Sequence, residues 1–128
     1  MKPTLNLTIA SMLSILFVTL HISDDIARGL DKAGIGNLVA GCVLALWLYG
    51  TLMLAERKSG YIVILIFSIL SLGVVGIHMK GEGIPNRITL SSGGVFYVWT
   101  LYALTVSAFF SVLLSIRGLS NMRRSSQS

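Results

Sequence analysis

The chain has 128 residues, of which 54% are hydrophobic and only 12% charged, with a mean hydropathy of +0.82. Soluble domains carry about twice that charged fraction, and a water-soluble fold of this size has too little interior to hide so much apolar surface. The net charge of +5 does not point to nucleic acid, because the basic residues sit at the ends of apolar blocks and are not interleaved with aromatics on one face.

The apolar residues gather into four blocks of the length that crosses a hydrocarbon core of about 30 Å. The expected fold is therefore all-α, a single integral membrane bundle of four transmembrane helices over 5–23, 38–55, 61–79 and 95–116. Helices are required because lipid cannot satisfy an exposed backbone.

The first block follows Lys2 and resembles a secretory signal in outline. The segment after it, Ser23-Asp24-Asp25-Ile26-Ala27-Arg28, offers no small-residue cleavage site, so the block is expected to stay as the first span. Beyond it, Ile26, Leu30 and Ala33 alternate with Arg28, Asp31 and Lys32 at helical spacing, which predicts a short interfacial helix ended by Gly34 and Gly36.

In the second block Cys42 is the single cysteine and forms neither a disulfide pair nor a CxxC motif, so it is read as a small packing residue. Trp47 and Tyr49 fall deep in this span, where an indole or phenol needs a polar partner such as a Ser or Thr of a neighbouring helix. The connection Glu56-Arg57-Lys58-Ser59-Gly60 is short enough only for a tight hairpin, making the second and third helices antiparallel neighbours.

The third connection, Lys80 to Gly94, holds four glycines and Pro85 and is expected to be irregular, as a loop or a lid over the bundle mouth. Tyr61, Tyr97 and Trp99 sit near span ends, as interfacial belt residues do. After the fourth span, 120–128 is expected to be a disordered tail.

Small residues recur every three or four positions: Ala103, Ser107, Ser111 and Ser115 in the fourth span, Asn6, Ala10 and Ser14 in the first, Gly41 and Ala45 in the second, Gly73 and Gly76 in the third. Such stripes let helix backbones approach closely and suit a compact bundle, or assembly with a second copy or another membrane subunit. The competing reading of the serines is a polar conduit, but none of the four spans places an ionisable residue near the membrane midplane, which disfavours ion-coupled transport.

Lys2, Arg57, Lys58, Arg117, Arg123 and Arg124 flank one side of the membrane and Arg28, Lys32, Lys80 and Arg87 the other. The excess of basic residues on the first side predicts cytoplasmic termini, a multi-pass protein of the cell inner (plasma) membrane, and contact with anionic headgroups at the inner face.

Two His–carboxylate pairs share the i, i+4 spacing of neighbours on a helix face: His21 with Asp25, and His78 with Glu82. The first and third helices run in the same direction, so both pairs reach the same membrane face. The four groups make a candidate set for a divalent metal, since imidazole suits zinc, iron, copper or nickel and carboxylates complete a mixed shell, with Asp24 as an outer partner. Alternatively, His21 and His78 clamp a haem whose propionates reach Arg28, Lys80 or Arg87.

Lys80 and Gly81 interrupt the second pair, which leaves the first as the stronger. Asp24 and Arg28 add a network beside it. The competing reading is that these groups merely end the spans, Asp24 capping the interfacial helix and Arg28 meeting a lipid phosphate.

With His21, Asp24, Asp25, Arg28 and Gly29, then Trp47-Leu48-Tyr49-Gly50-Thr51 and Leu54-Ala55-Glu56-Arg57-Lys58-Ser59-Gly60-Tyr61, the chain resembles small uncharacterised four-helix membrane proteins of bacterial genomes. That resemblance implies the fold and carries no activity. Three functions follow from the residues, in this order: a non-catalytic membrane component or accessory subunit, a haem- or metal-binding redox protein using His21 and His78, and a small transporter or channel. No residue pattern specifies an enzymatic reaction.

Overall fold

A computed structural model describes residues 3–29, 34–78 and 93–127. Four α-helices account for nearly all of these: α1 (Pro3–Ala27), α2 (Ile35–Leu52), α3 (Lys58–His78) and α4 (Gly94–Ser125). All four are long and apolar enough to cross a membrane, as the four apolar blocks require.

The bundle is built with small polar residues inside and large apolar residues outside. Ser11, Ser14, Ser68, Thr100, Ser111 and Ser115 are completely buried, whereas Leu16, Ile66, Leu70, Val106 and Phe110 are about half exposed. Lipid is as apolar as leucine, so helices associate through close contact of small side chains and not by hiding large ones. Two of these serine hydroxyls turn back onto their own helix, Ser14 onto the Ala10 carbonyl at 2.9 Å and Ser111 onto that of Ser107 at 3.0 Å. A hydroxyl bonded in this way is not left unsatisfied in a dry interior.

The helices form a ring in chain order. α4 packs closely on α1 and α3, and α2 closes the ring by touching the same two helices from the other side. α2 is held to α1 by a three-residue polar lock, in which Trp47 Nε1 donates to Ser11 Oγ at 2.9 Å and Ser11 Oγ lies 2.8 Å from Thr51 Oγ1. Because Thr51 gives its own proton to the Trp47 carbonyl, Ser11 is the donor in the second bond. The partner expected for Trp47 is thus Ser11. Tyr49, expected to be buried as well, is half exposed on the lipid side.

Several boundaries differ from the sequence expectation. α1 runs a turn past Ser23, since Asp24 and Asp25 find partners and need not leave the helix; Ile26 and Ala27 belong to it, and the chain turns at Gly29, whose φ of +68° suits glycine. The rest of the proposed interfacial helix, 30–33, lies outside the described residues. Gly34 caps α2 and Gly36 sits in its first turn, so these glycines start a helix rather than end one.

α2 finishes at Leu52, and the hairpin to α3 is tight because Gly60 packs against the Leu54 carbonyl where a Cβ would collide. The proposed disordered tail is helical through Ser125, supported by Arg123 and Arg124 in the last turn of α4, where cations complement the helix dipole. The loop or lid of 80–94 falls outside the described residues, except for Gly93 and Gly94 at the start of α4.

The small-residue stripes are only partly internal. Ala10, Ser14, Ser107, Ser111 and Ser115 are buried, but Gly41, Ala45, Gly73 and Gly76 are exposed, and nothing lies within 4 Å of a Cβ built on any of the three glycines. Cys42 is exposed too and does not pack inside the bundle.

Candidate metal centre

At the end of the bundle opposite the start of α1 and the finish of α4, three side chains from two helices converge. His21 lies one turn before Asp25 on α1, and His78 is the last residue of α3. Asp25 Oδ2 is 3.7 Å from His21 Nε2 and also 3.7 Å from His78 Nε2, and the three ligand atoms all lie within 4.8 Å of one another. His21 is 2% exposed, so the site reaches into the interior.

The hydrogen bonds on the far side of each ring fix which nitrogen faces the centre. His78 Nδ1 is 2.9 Å from the Val74 carbonyl, which can only accept, so Nδ1 carries a proton and Nε2 is the atom turned to the centre, with a lone pair whenever the ring is neutral. His21 Nδ1 lies 3.3 Å from Thr100 Oγ1. Thr100 donates its own hydroxyl proton to the Tyr97 carbonyl at 2.9 Å, which leaves Oγ1 to accept from Nδ1–H. Both imidazoles therefore turn Nε2 toward the same carboxylate oxygen, each oriented by a donor bond on its other nitrogen, the arrangement found in metal-ligating histidines.

Tyr97 closes the site. Its ring lies 4.7 Å from that of His21 and 6.5 Å from that of His78, centroid to centroid, and the residue is only 3% exposed. The two imidazoles meet edge to face with centroids 5.2 Å apart. A haem clamp needs the rings on opposite faces of a macrocycle, and this edge contact leaves no slot between them.

Comparison with protein-family models, with curated proteins and with solved structures finds no match to this chain. The site stands on its own geometry.

Of the sequence-predicted residues, His21, Asp25 and His78 are brought together; Glu82 lies outside the described residues, as do Lys80 and Arg87. Asp24 and Arg28 form a separate pair beside the centre: Arg28 Nη2 donates to Asp24 Oδ1 at 2.9 Å, and its Nε lies 2.8 Å from Asp24 Oδ2. Arg28 also donates to the carbonyl of Gly93, tying the end of α1 to the start of α4. Asp24 is thus inside α1 and paired with Arg28, and it does not cap a helix.

Two residues of the site escaped the sequence reading. Tyr97 was expected at the lipid interface, and Thr100 was not singled out. Their i, i+3 spacing in the first turns of α4, at the depth of His21 and His78, is the signal that finds them.

Proposed function

We propose that this protein is a multi-pass membrane protein that holds a divalent transition-metal ion through His21, Asp25 and His78. The observation that carries the reading is the convergence of two imidazole Nε2 atoms on one carboxylate oxygen. With both rings neutral, the three groups are donors of lone pairs around one point, the kind of set that a divalent transition metal takes.

The spacing favours a metal over a shared proton. At 3.7 Å each Nε2–Oδ2 distance exceeds a hydrogen bond. Ligands about 2.0–2.2 Å from a tetrahedral ion are about 3.4 Å apart, so the two Nε2–Oδ2 distances need to close by a few tenths of an ångström and the two imidazoles, within 4.8 Å of each other, by up to about 1.4 Å. Two imidazoles and a carboxylate suit zinc, iron, copper or nickel better than magnesium or calcium. Among the described residues three groups face the centre, and a tetrahedral ion takes a fourth ligand. The basic flanks orient the bundle with its termini in the cytoplasm, which puts the centre on the outer face of the plasma membrane.

Metal analysis of the purified full chain after loading with Zn²⁺ or Co²⁺ tests this. One ion per chain is expected, with a Co²⁺ spectrum lost in His21→Ala and in His78→Ala while helicity is kept. A folded protein that retains no ion, or one that shows a haem band instead, sinks the proposal.

A second reading, a non-catalytic subunit, draws support from the exposed face of α2 and α3. Gly41, Ala45, Gly73 and Gly76 suit close contact with another transmembrane helix, and the bundle itself leaves them uncovered.

A further inference from the structure

At the opposite end of the bundle from the metal centre, a long apolar groove between α1 and α4 runs into a polar mouth. The groove, about 750 Å³, is walled by Ile9, Leu13, Phe17, Val106 and Phe110. The mouth, about 480 Å³, is faced by Thr4, Tyr61, Asn121, Glu56 and Arg117. Asn6 and Leu114 line both, so the two adjoin.

From the polar mouth at Asn6, the groove follows α1 to Phe17 for about 16 Å and α4 from Leu114 to Trp99 for about 22 Å. One leaflet contributes about 15 Å to the hydrocarbon core. The groove is therefore long enough for a whole acyl chain, and its mouth opens where that chain's headgroup sits.

The mouth carries one charge of each sign. Arg117 and Glu56 face the same cavity without forming an ion pair, and Glu56 accepts only the Thr4 hydroxyl, at 3.2 Å, among the described residues. Glu56 is held there at a φ of 68°, a left-handed conformation that disfavours any residue with a side chain. An anionic headgroup would satisfy Arg117 and be repelled by Glu56. A headgroup with a phosphate and a primary ammonium satisfies both.

We propose that this groove is a binding site for a phosphatidylethanolamine-type lipid: one acyl chain lies between α1 and α4, the phosphate meets Arg117, and the ammonium donates to Glu56. A quaternary choline headgroup has no N–H to donate and fits less well. A helix from a second copy would fill the groove but leave both charges in the mouth unused.

The test reconstitutes the full chain into vesicles of equal parts phosphatidylethanolamine, phosphatidylcholine and phosphatidylglycerol, extracts it in mild detergent and measures retained lipid by mass spectrometry. Phosphatidylethanolamine is expected to be retained about fivefold over the other two, the upper range for one exposed ion pair. Glu56→Gln keeps an acceptor for Thr4 but removes the charge that holds the ammonium, and should lower the preference over phosphatidylcholine, whereas Glu56→Leu, with no acceptor, should remove it. Arg117→Gln should lower retention of both, whereas Arg123→Gln, the same charge change outside the mouth, should not. Ala103→Trp, which fills the groove, should lower retention of every class.

Equal retention of the three lipids overturns the proposal, as does a preference for phosphatidylglycerol, which marks a merely basic surface. So does unchanged retention in Ala103→Trp. Disulfide cross-linking between two copies through Ala103→Cys, in a Cys42→Ser background, would assign the groove to a second protein helix and overturn it as well.

Discussion

His78 Nε2 lies 3.7 Å from Asp25 Oδ2, joining the last residue of α3 to a residue more than fifty positions earlier on α1. The contact gives Asp25 two imidazole neighbours, where the i, i+4 pattern of the sequence supplied one. It also makes the centre depend on how the two helices are aligned along the bundle axis. Displacing α3 by one residue would move His78 by about 1.5 Å and around the helix, away from the carboxylate.

Metal affinity is expected to fall as pH falls. An imidazole must be unprotonated to ligate, so protons compete with the ion at both His21 and His78, and loading a ligand-free protein in weak buffer should release protons. The sign is fixed: acid expels the ion and alkali retains it. Titration of Zn²⁺ at several pH values, with proton release followed in parallel, measures it. Affinity independent of pH would mean that the ion is held elsewhere.

Thr100 orients His21 without facing the centre, so it is a positioning residue. Thr100→Val removes the acceptor for Nδ1–H and should weaken metal binding about 10- to 100-fold, the usual effect of losing an outer-shell partner. Thr100→Ser keeps the hydroxyl and should restore most of it. The Co²⁺ spectrum separates this role from a packing one, because a freed imidazole changes the ligand field whereas a loosened helix alone does not.

Most of the fold could be read from the sequence because bilayer thickness imposes one length on every span, and four blocks of that length fix four helices. The facing of α2 and α3 could not. A glycine at helical spacing is equally compatible with an internal face and an uncovered one, and Gly41 and Gly73 prove to be outside. His21 and Asp25 are local in sequence and so were legible. The choice of His78 as their partner, and of Tyr97 and Thr100 as the walls, is set by helix alignment, which periodicity does not encode. The extension of α4 through Ser125 was missed for another reason: Gly118 and the polar residues after it look like the start of a tail, although no proline follows Arg117 and a single glycine does not end a helix.

The Ser11–Trp47–Thr51 lock should show an asymmetry. Ser11→Ala leaves the Trp47 N–H buried without an acceptor and should cost about 1–3 kcal/mol. Thr51→Val removes the acceptor for Ser11, whose hydroxyl can turn to its own helix as Ser14 does, and a bond to the Trp47 carbonyl, which already accepts within the helix, so the cost should stay near the ~0.6 kcal/mol typical of interhelical hydrogen bonds in membranes. Equilibrium unfolding in mixed micelles measures both. Equal costs would show that the indole has another acceptor.

The glycines divide into two groups with opposite expectations. A Cβ at Gly60 would strike the Leu54 backbone carbonyl, which cannot swing aside, so Gly60→Ala should open the hairpin and cost about 1–3 kcal/mol, as other overpacked positions do. At Gly41, Gly73 and Gly76 a Cβ meets nothing, and removing a flexible residue from a helix interior should stabilise the isolated protein by about 0.5–1 kcal/mol. The same three substitutions probe the accessory-subunit reading, because a partner helix packed on that face would have to move away from each added methyl. Substitutions that stabilise the protein in detergent yet lower its abundance or assembly in the native membrane would reveal such a partner. Substitutions neutral in both settings would leave the face to lipid.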